Sequence, residues 1–240
     1  MLRHSLAIAA LAGLVAFAPA AHGLGLDFGL NKDIRIAPGS ETDGRSTVNG
    51  DIEVGRDAVV NGDLHTVNGG IDIEANARVR DAESVNGRIR VGEGATAGIV
   101  KSVNGAISVA GDAMVRQVDL VNGRIDIEPG VRVERGVSNV NGAIRIAGAE
   151  IGADLETVNG DVRLSEGAQV AGDLVVRKPR GFNADRRRLP EIVVGPGVRI
   201  DGEIVLEREV ELYLSETAEV GGVRGVMSLG DAVRFSGEHP

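Results

Sequence analysis

Cysteine is missing from all 240 residues. That excludes disulfides, thiolate metal sites and a lipid-modified N-terminal cysteine. Aromatic residues are almost missing too, with no Trp, one Tyr and four Phe. Few rings are therefore available to stack on sugars or bases. The core must be narrow and built from Val, Ile, Leu and Ala, which are mostly strand-forming side chains. Excess positive charge is lacking, because the formal net charge is −9. The chain as a whole is a poor match for polyanionic nucleic acid. Of four histidines, His4, His22 and His239 lie near the termini. His65 alone falls in the body of the chain and reads as a surface turn residue, unable to hold zinc without partners.

Long apolar runs are confined to the N-terminus. There "MLRHSLAIAALAGLVAFAPAA" combines Arg3, an apolar stretch from Leu6 to Phe17 and the small-residue pattern Ala18-Pro19-Ala20. This predicts a secretory signal peptide over 1–20. A membrane anchor is the alternative, but the stretch is short against the roughly 20 residues that a spanning helix needs. After signal cleavage no transmembrane segment is expected. The mature protein is expected to be soluble and exported, either periplasmic or at the cell surface of a bacterium.

Glycine is plentiful, at 35 residues, and much of it recurs in one tripeptide, Val-Asn-Gly. The asparagines fall at Asn49, Asn68, Asn86, Asn104, Asn122, Asn141 and Asn159, in steps of 18 or 19. Asn31, in "LNKDIRI", is a degenerate earlier copy. One step after Asn159, Val176 keeps phase and Arg177 replaces Asn. Such regularity signals a repeat architecture. Apolar positions recur as well: Ile89 and Val91, then Ala95 and Ala97, then Val100 and Val103 in one unit. The first two pairs alternate with polar residues, as strands do. The third pair, like Leu64 and Val67, is spaced by three and predicts a corner between its members. The extra residue of the longer units sits before Leu64 and before Val137, and the unit from Val140 slips by one at Ile151.

Three short apolar sides in about eighteen residues predict one coil of an all-β, single-stranded parallel β-helix, or β-solenoid. Coils then stack about 4.8 Å apart. Ten coils predict a rod about 50 Å long. Asn and Gly suit a tight corner because they tolerate left-handed backbone. Stacking predicts a structural ladder in which Asn31, Asn49, Asn68, Asn86, Asn104, Asn122, Asn141 and Asn159 bond amide to amide. An antiparallel meander is the rival reading of Asn-Gly turns, but it would need two longer strands per unit. An outward column, Glu53, Asp72, Arg90, Ser108, Asp126, Arg145 and Arg163, places opposite charges on adjacent coils at Asp72/Arg90 and Asp126/Arg145. Parallel crossovers are right-handed in about 98% of cases, which favours a right-handed coil. A left-handed helix with six-residue sides is the alternative.

The expected organisation is a signal peptide (1–20), an N-terminal lead (21–29), the solenoid proper (30–177), a basic loop insertion (178–190), further coils (191–225) and a C-terminal cap or tail (226–240). The insertion, "KPRGFNADRRRLP", carries Lys178, Arg180, Arg186, Arg187 and Arg188 against Asp185. These five form a candidate anion-binding set. Apolar pairs resume at Ile192/Val194, Val198/Ile200, Ile204/Leu206, Val210/Leu212 and Ala218/Val220. This C-terminal segment resembles bactofilins, bacterial polymer-forming β-helix proteins. The VNG-x-I-x-V units are similar to those of secreted adhesin-like repeat proteins. The bactofilin resemblance implies a right-handed parallel β-helix and end-to-end assembly into filaments.

No catalytic constellation emerges. Asp51 and Asp161 share a column but lie six coils apart, near 29 Å. There is no GGxGxD calcium repeat, no P-loop and no GxSxG turn. The expectation is a non-catalytic protein without cofactor, structural or adhesive in the cell envelope. It would partner itself end to end or side by side. The alternative is a module that binds envelope polysaccharide or another anionic surface through 178–188; a carbohydrate-active β-helix enzyme is a minor one. Ser40, Thr42 and Arg45 suggest a partial cap on the first coil, and 226–240 a cover at the other end.

Overall fold

The computed structural model describes residues 27–29, 31–179, 188–237 and 240. The segment 1–20 and the side chains of Arg180, Arg186 and Arg187 lie outside them. So do His4, His22 and His239. The described chain is a parallel β-solenoid of about 11 turns, one more than the repeats suggest. Three strand columns make three sides. The first side holds strands such as Arg45–Asn49, Leu64–Asn68 and Ala82–Asn86. The second holds Ile52–Val54, Ile71–Ile73 and Ile89–Val91. The third holds the two-residue strands Val59–Val60 and Arg78–Val79. Every recorded pairing is parallel, and Asn86 lies beside both Asn68 and Asn104. In mid-stack, Thr96–Val109 and Met114–Ile127 run unbroken through all three sides.

The bore follows from the alternation. Along the second side Ile52/Val54, Ile71/Ile73, Ile89/Val91, Ile107/Val109 and Ile125/Ile127 all point inward and are buried. Small residues line the next corner at Ala58, Ala77, Ala95 and Ala113. Each fully buried Val, Ile or Leu contributes roughly 1.5–3 kcal/mol. A bore this narrow has no room for rings: Tyr213 faces outward, and Phe235 is buried only at the last coil.

The first side corrects the expected inward pair. Leu64–Asn68 is one strand with no corner inside it; Leu64 and Thr66 point in, while Val67 is half-buried. In the same way Ser102, not Val103, joins Val100 in the bore. The valine of Val-Asn-Gly is thus an outer residue in most coils, and Val158 is the buried exception.

The corners also divide the work differently. Left-handed backbone recurs between the second and third sides, at Gly39, Asp57, Asn76, Gly94, Asp112 and Gly130. Of the ladder asparagines only Asn31 has a positive φ. The glycine after each ladder asparagine from Asn49 onward answers a further demand, close approach, and Gly123 and Gly142 have positive φ as well. A Cβ on Gly87 would lie 1.9 Å from the Gly69 carbonyl oxygen, and one on Gly105 2.1 Å from that of Gly87.

Length variation is absorbed at corners. Glu41 pairs with Val59 but Arg45 with Leu64, so the extra residue of that coil sits in the third-to-first corner, before Leu64. The later extra residue before Val137 is given back before Glu150, where the slip at Ile151 was expected. The 178–190 insertion leaves from the first-to-second corner, where Val-Asn-Gly would otherwise stand, and the second side resumes at Glu191–Val194.

The stack extends further at both ends than the repeats imply. Asp27–Gly29 pairs with Arg45–Thr47 as the first rung of the first side. Val233–Phe235 pairs with Tyr213–Ser215 as the last rung of the second. Between Val223–Gly225 and that rung, Met227 and Ala232 pack against the core.

Candidate functional site

The asparagine ladder is complete, and every rung donates in one direction. Asn49 donates to Asn31, and Asn68 to Asn49 at 2.7 Å. Asn86, Asn104, Asn122, Asn141 and Asn159 continue the series at 2.8–3.0 Å. The amides lie on an outer corner, mostly exposed, and not in the bore. Water can therefore replace a lost rung, and each bond is worth only about 0.5–1.5 kcal/mol net.

The sequence places Arg177 one rung above Asn159, and the register corrects this. Thr157 pairs with Val176, which brings Lys178 to the ladder position. Arg177 instead bonds Glu156 and Glu207, each at 3.0 Å. The ladder is closed from another coil: Arg208 donates to Asn159 Oδ1 at 2.9 Å.

A second ladder runs inside and was missed from sequence. Thr47, Thr66, Ser84, Ser102, Asn139 and Thr157 are buried in one column. Thr66 donates to the Gly50 carbonyl, Ser84 to Gly69 and Ser102 to Gly87, at 3.0–3.2 Å. Asn139 does the same to Gly123 through Nδ2 at 3.0 Å. Its Oδ1 is buried without a protein partner. Leu120 occupies the column between Ser102 and Asn139 and interrupts the series.

The candidate anion-binding set is only partly described. Lys178 is exposed, and its backbone N–H donates to Glu207 at 3.1 Å. Arg188 is tied down, with Asp161 at 3.0 Å and Glu191 at 3.9 Å. The structure therefore separates the two: Lys178 sits by Glu207, and Arg188 lies against the second side.

Ion pairs also run along the second side. The expected cross-coil pairs are present but long, Arg90–Asp72 at 3.9 Å and Arg145–Asp126 at 3.8 Å. Arg124 meets Asp126 at 2.6 Å, and Arg163 meets Glu191 at 3.5 Å. Towards the N-terminal end an open groove of about 500 Å³ is lined by Asp33, Asp51, Glu53, Asp72 and Glu74 with Arg35, Arg56 and Arg90. Asp51 there accepts the Gly70 N–H at 2.6 Å, whereas Asp161 accepts that of Glu191 at 2.9 Å.

His65 lies on the first side, with Nδ1 3.5 Å from Glu83 and Nε2 3.9 Å from Asp63. Its hydrogen bond with Glu83 outweighs burial and raises the imidazole pKa above its ordinary value. The same bond lowers that of Glu83. Asp63 is also lowered, first by its hydrogen bond with Arg80. Among the described residues no group of three or more His, Asp or Glu is disposed to hold a metal. Nor is any helix among them long and apolar enough to cross a membrane. Comparison with family models, curated proteins and solved structures gave no match.

Proposed function

We propose that the chain is an exported, non-catalytic scaffold of the bacterial cell envelope. It acts as a rigid rod about 50 Å long that joins copies of itself end to end or presents its sides for adhesion. One observation carries this reading. The last coil ends in strands, Val223–Gly225, Glu219–Val220 and Val233–Phe235, whose outer edges no described strand pairs. Val226, Leu229 and Val233 are exposed beside them. An unpaired edge with apolar flanks recruits another strand, which a second rod can supply. Export rests on the N-terminal sequence and on that alone.

Electron microscopy and light scattering on residues 21–240 test the joining. Filaments or mass growth with concentration are the expected result. Short monodisperse particles at high concentration would remove self-assembly from the reading. Binding of an anionic surface through residues 178–188 has weaker support, because Arg188 already engages Asp161 and Glu191.

A further inference from the structure

Eight asparagines precede a glycine: the seven ladder residues from Asn49 to Asn159, and Asn61. Asn-Gly is the dipeptide most open to spontaneous deamidation, because glycine sets no side chain in front of its own amide nitrogen and lets the backbone turn freely. In that reaction the glycine nitrogen attacks the asparagine Cγ. The N–Cγ bond forms and the Cγ–Nδ2 bond breaks. The glycine amide proton passes through water to the departing nitrogen, which leaves as ammonia. One water then opens the cyclic succinimide to aspartate or isoaspartate. The carboxamide must first swing onto the following nitrogen, so every hydrogen bond that fixes either group has to open.

The ladder fixes the carboxamide at both ends. Each asparagine from Asn49 to Asn141 donates through Nδ2 to the rung before it and accepts through Oδ1 from the rung after it. Asn159 donates to Asn141 and accepts from Arg208. Several of the attacking nitrogens are engaged too. Gly50, Gly69 and Gly87 donate to the asparagine carbonyl of the next coil at 2.9–3.2 Å. Gly160 donates to Thr157 Oγ1 at 3.0 Å.

Asn61 stands apart. It lies in the third-to-first corner of a coil that carries an extra residue. Val60 pairs with Thr42 and Val79, so Asp43 comes next below Asn61 and Arg80 next above, and no ladder forms. Its Nδ2 donates to Glu41 at 2.8 Å. Among the described residues nothing bonds its Oδ1 or the Gly62 N–H. The side chain is exposed, so water reaches it.

We propose that Asn61 is a site of spontaneous modification, deamidating through a succinimide, and that the outer ladder shields the other seven Asn-Gly pairs from the same reaction. The ladder, modest as a source of stability, then protects the chain chemically. Conversion at Asn61 replaces the amide donated to Glu41 with a second carboxylate. Isoaspartate also adds a backbone carbon where Gly62 lies on Gly44, so close that a Cβ on Gly62 would be 2.5 Å from the Gly44 nitrogen. This corner loosens as the protein ages. The proposal does not depend on the joining of rods.

The test is a time course of the full chain in mildly alkaline buffer, with tandem mass spectrometry locating each conversion. Asn61 should convert first. Each hydrogen bond that must open slows the attack roughly two- to tenfold. Ladder sites should therefore lag Asn61 by about tenfold. In urea the lag should vanish, because all eight pairs share the same dipeptide. The variant Asn86→Ala frees Oδ1 of Asn68 and Nδ2 of Asn104. It should speed conversion at those two and leave Asn141 and Asn159 unchanged. Circular dichroism establishes that the variant is folded, and the wild-type time course decides the matter without it. A ladder asparagine converting as fast as Asn61 in the folded chain would overturn the proposal. So would a lag that persists in urea, or an Asn61 that stays intact.

Discussion

At the scale of single residues, steric and polar demands separate positions that look alike in sequence. Gly87→Ala would push a methyl to 1.9 Å from the Gly69 oxygen, and coil spacing must open locally to admit it. The expected cost is about 3 kcal/mol, visible as a fall in the denaturant midpoint. Gly39→Ala, with φ +64 and nothing near its Cβ, should cost only about 1 kcal/mol. His65 adds a pH dependence. Its folded pKa is raised by Glu83, so its contribution is full below the unfolded value near 6.5 and is lost as pH rises through the folded value. The lowered Glu83 works in the opposite sense. Its share is present above its unfolded value and is lost as pH falls through the folded one. Wild type should therefore lose melting temperature relative to His65→Gln as pH rises from 6 to 8. Parallel curves would remove the linkage.

The first residue of each ladder tetrapeptide shows what was readable and what was not. The asparagines at constant spacing announced their own stack, because every copy repeats the same side chain. The buried column was present in the same text as Thr66-Val67, Ser84-Val85 and Ser102-Val103. It is masked because the valine, three residues from Leu64 in one coil and from Val100 in another, mimics an inward partner. Strand alternation from Leu64 would have put Thr66 inside and Val67 outside. A buried hydroxyl is acceptable there because the glycine carbonyl below receives its proton. The basic residues of 178–188 drew attention as a cluster in sequence. The charges of the second side are scattered in sequence and meet only through the fold.

At the scale of the element, the two ladders have unequal roles. The inner one satisfies buried groups in the bore, and the outer one is in contact with water. Asn104→Ala removes a bond given to Asn86 and one received from Asn122. Because the site is exposed, the cost should be about 1 kcal/mol. Ser102→Ala strips a buried donor from the Gly87 carbonyl and should cost as much or more, although a smaller group is lost. Paired chemical denaturation curves would decide the order. Sides and corners differ in the same spirit. Each side keeps its alternation through the stack, while every insertion, from one residue to the 178–190 segment, enters at a corner.

At the scale of the whole molecule, each coil contacts its neighbours and little else, so stability should scale with coil number. Removal of residues 87–104 joins Asn86 to Gly105 and restores Val-Asn-Gly in register. The shortened chain should fold and scatter as a rod about 4.8 Å shorter. Deletion of half that length would set the first side over the wrong side and should not fold. A folded half-coil deletion, by circular dichroism and small-angle scattering, would contradict the stack.

The outer ladder also gives the rod a sense of direction. Each amide turns its NH₂ towards the N-terminal coils and its oxygen towards the C-terminal ones, so eight dipoles joined by seven bonds point the same way, as peptide groups do in a helix. The negative pole is the Asn159 oxygen, and the Arg208 cation sits on it. Asn31, at the positive pole, keeps its amide hydrogens unspent within the ladder. That pole lies inside the rod and not at its tip, because the strands Leu174–Val176, Ile204–Leu206 and Val223–Gly225 stack beyond it. The amide series therefore polarises a single rod and stops at the Arg208 cation before the terminal edge.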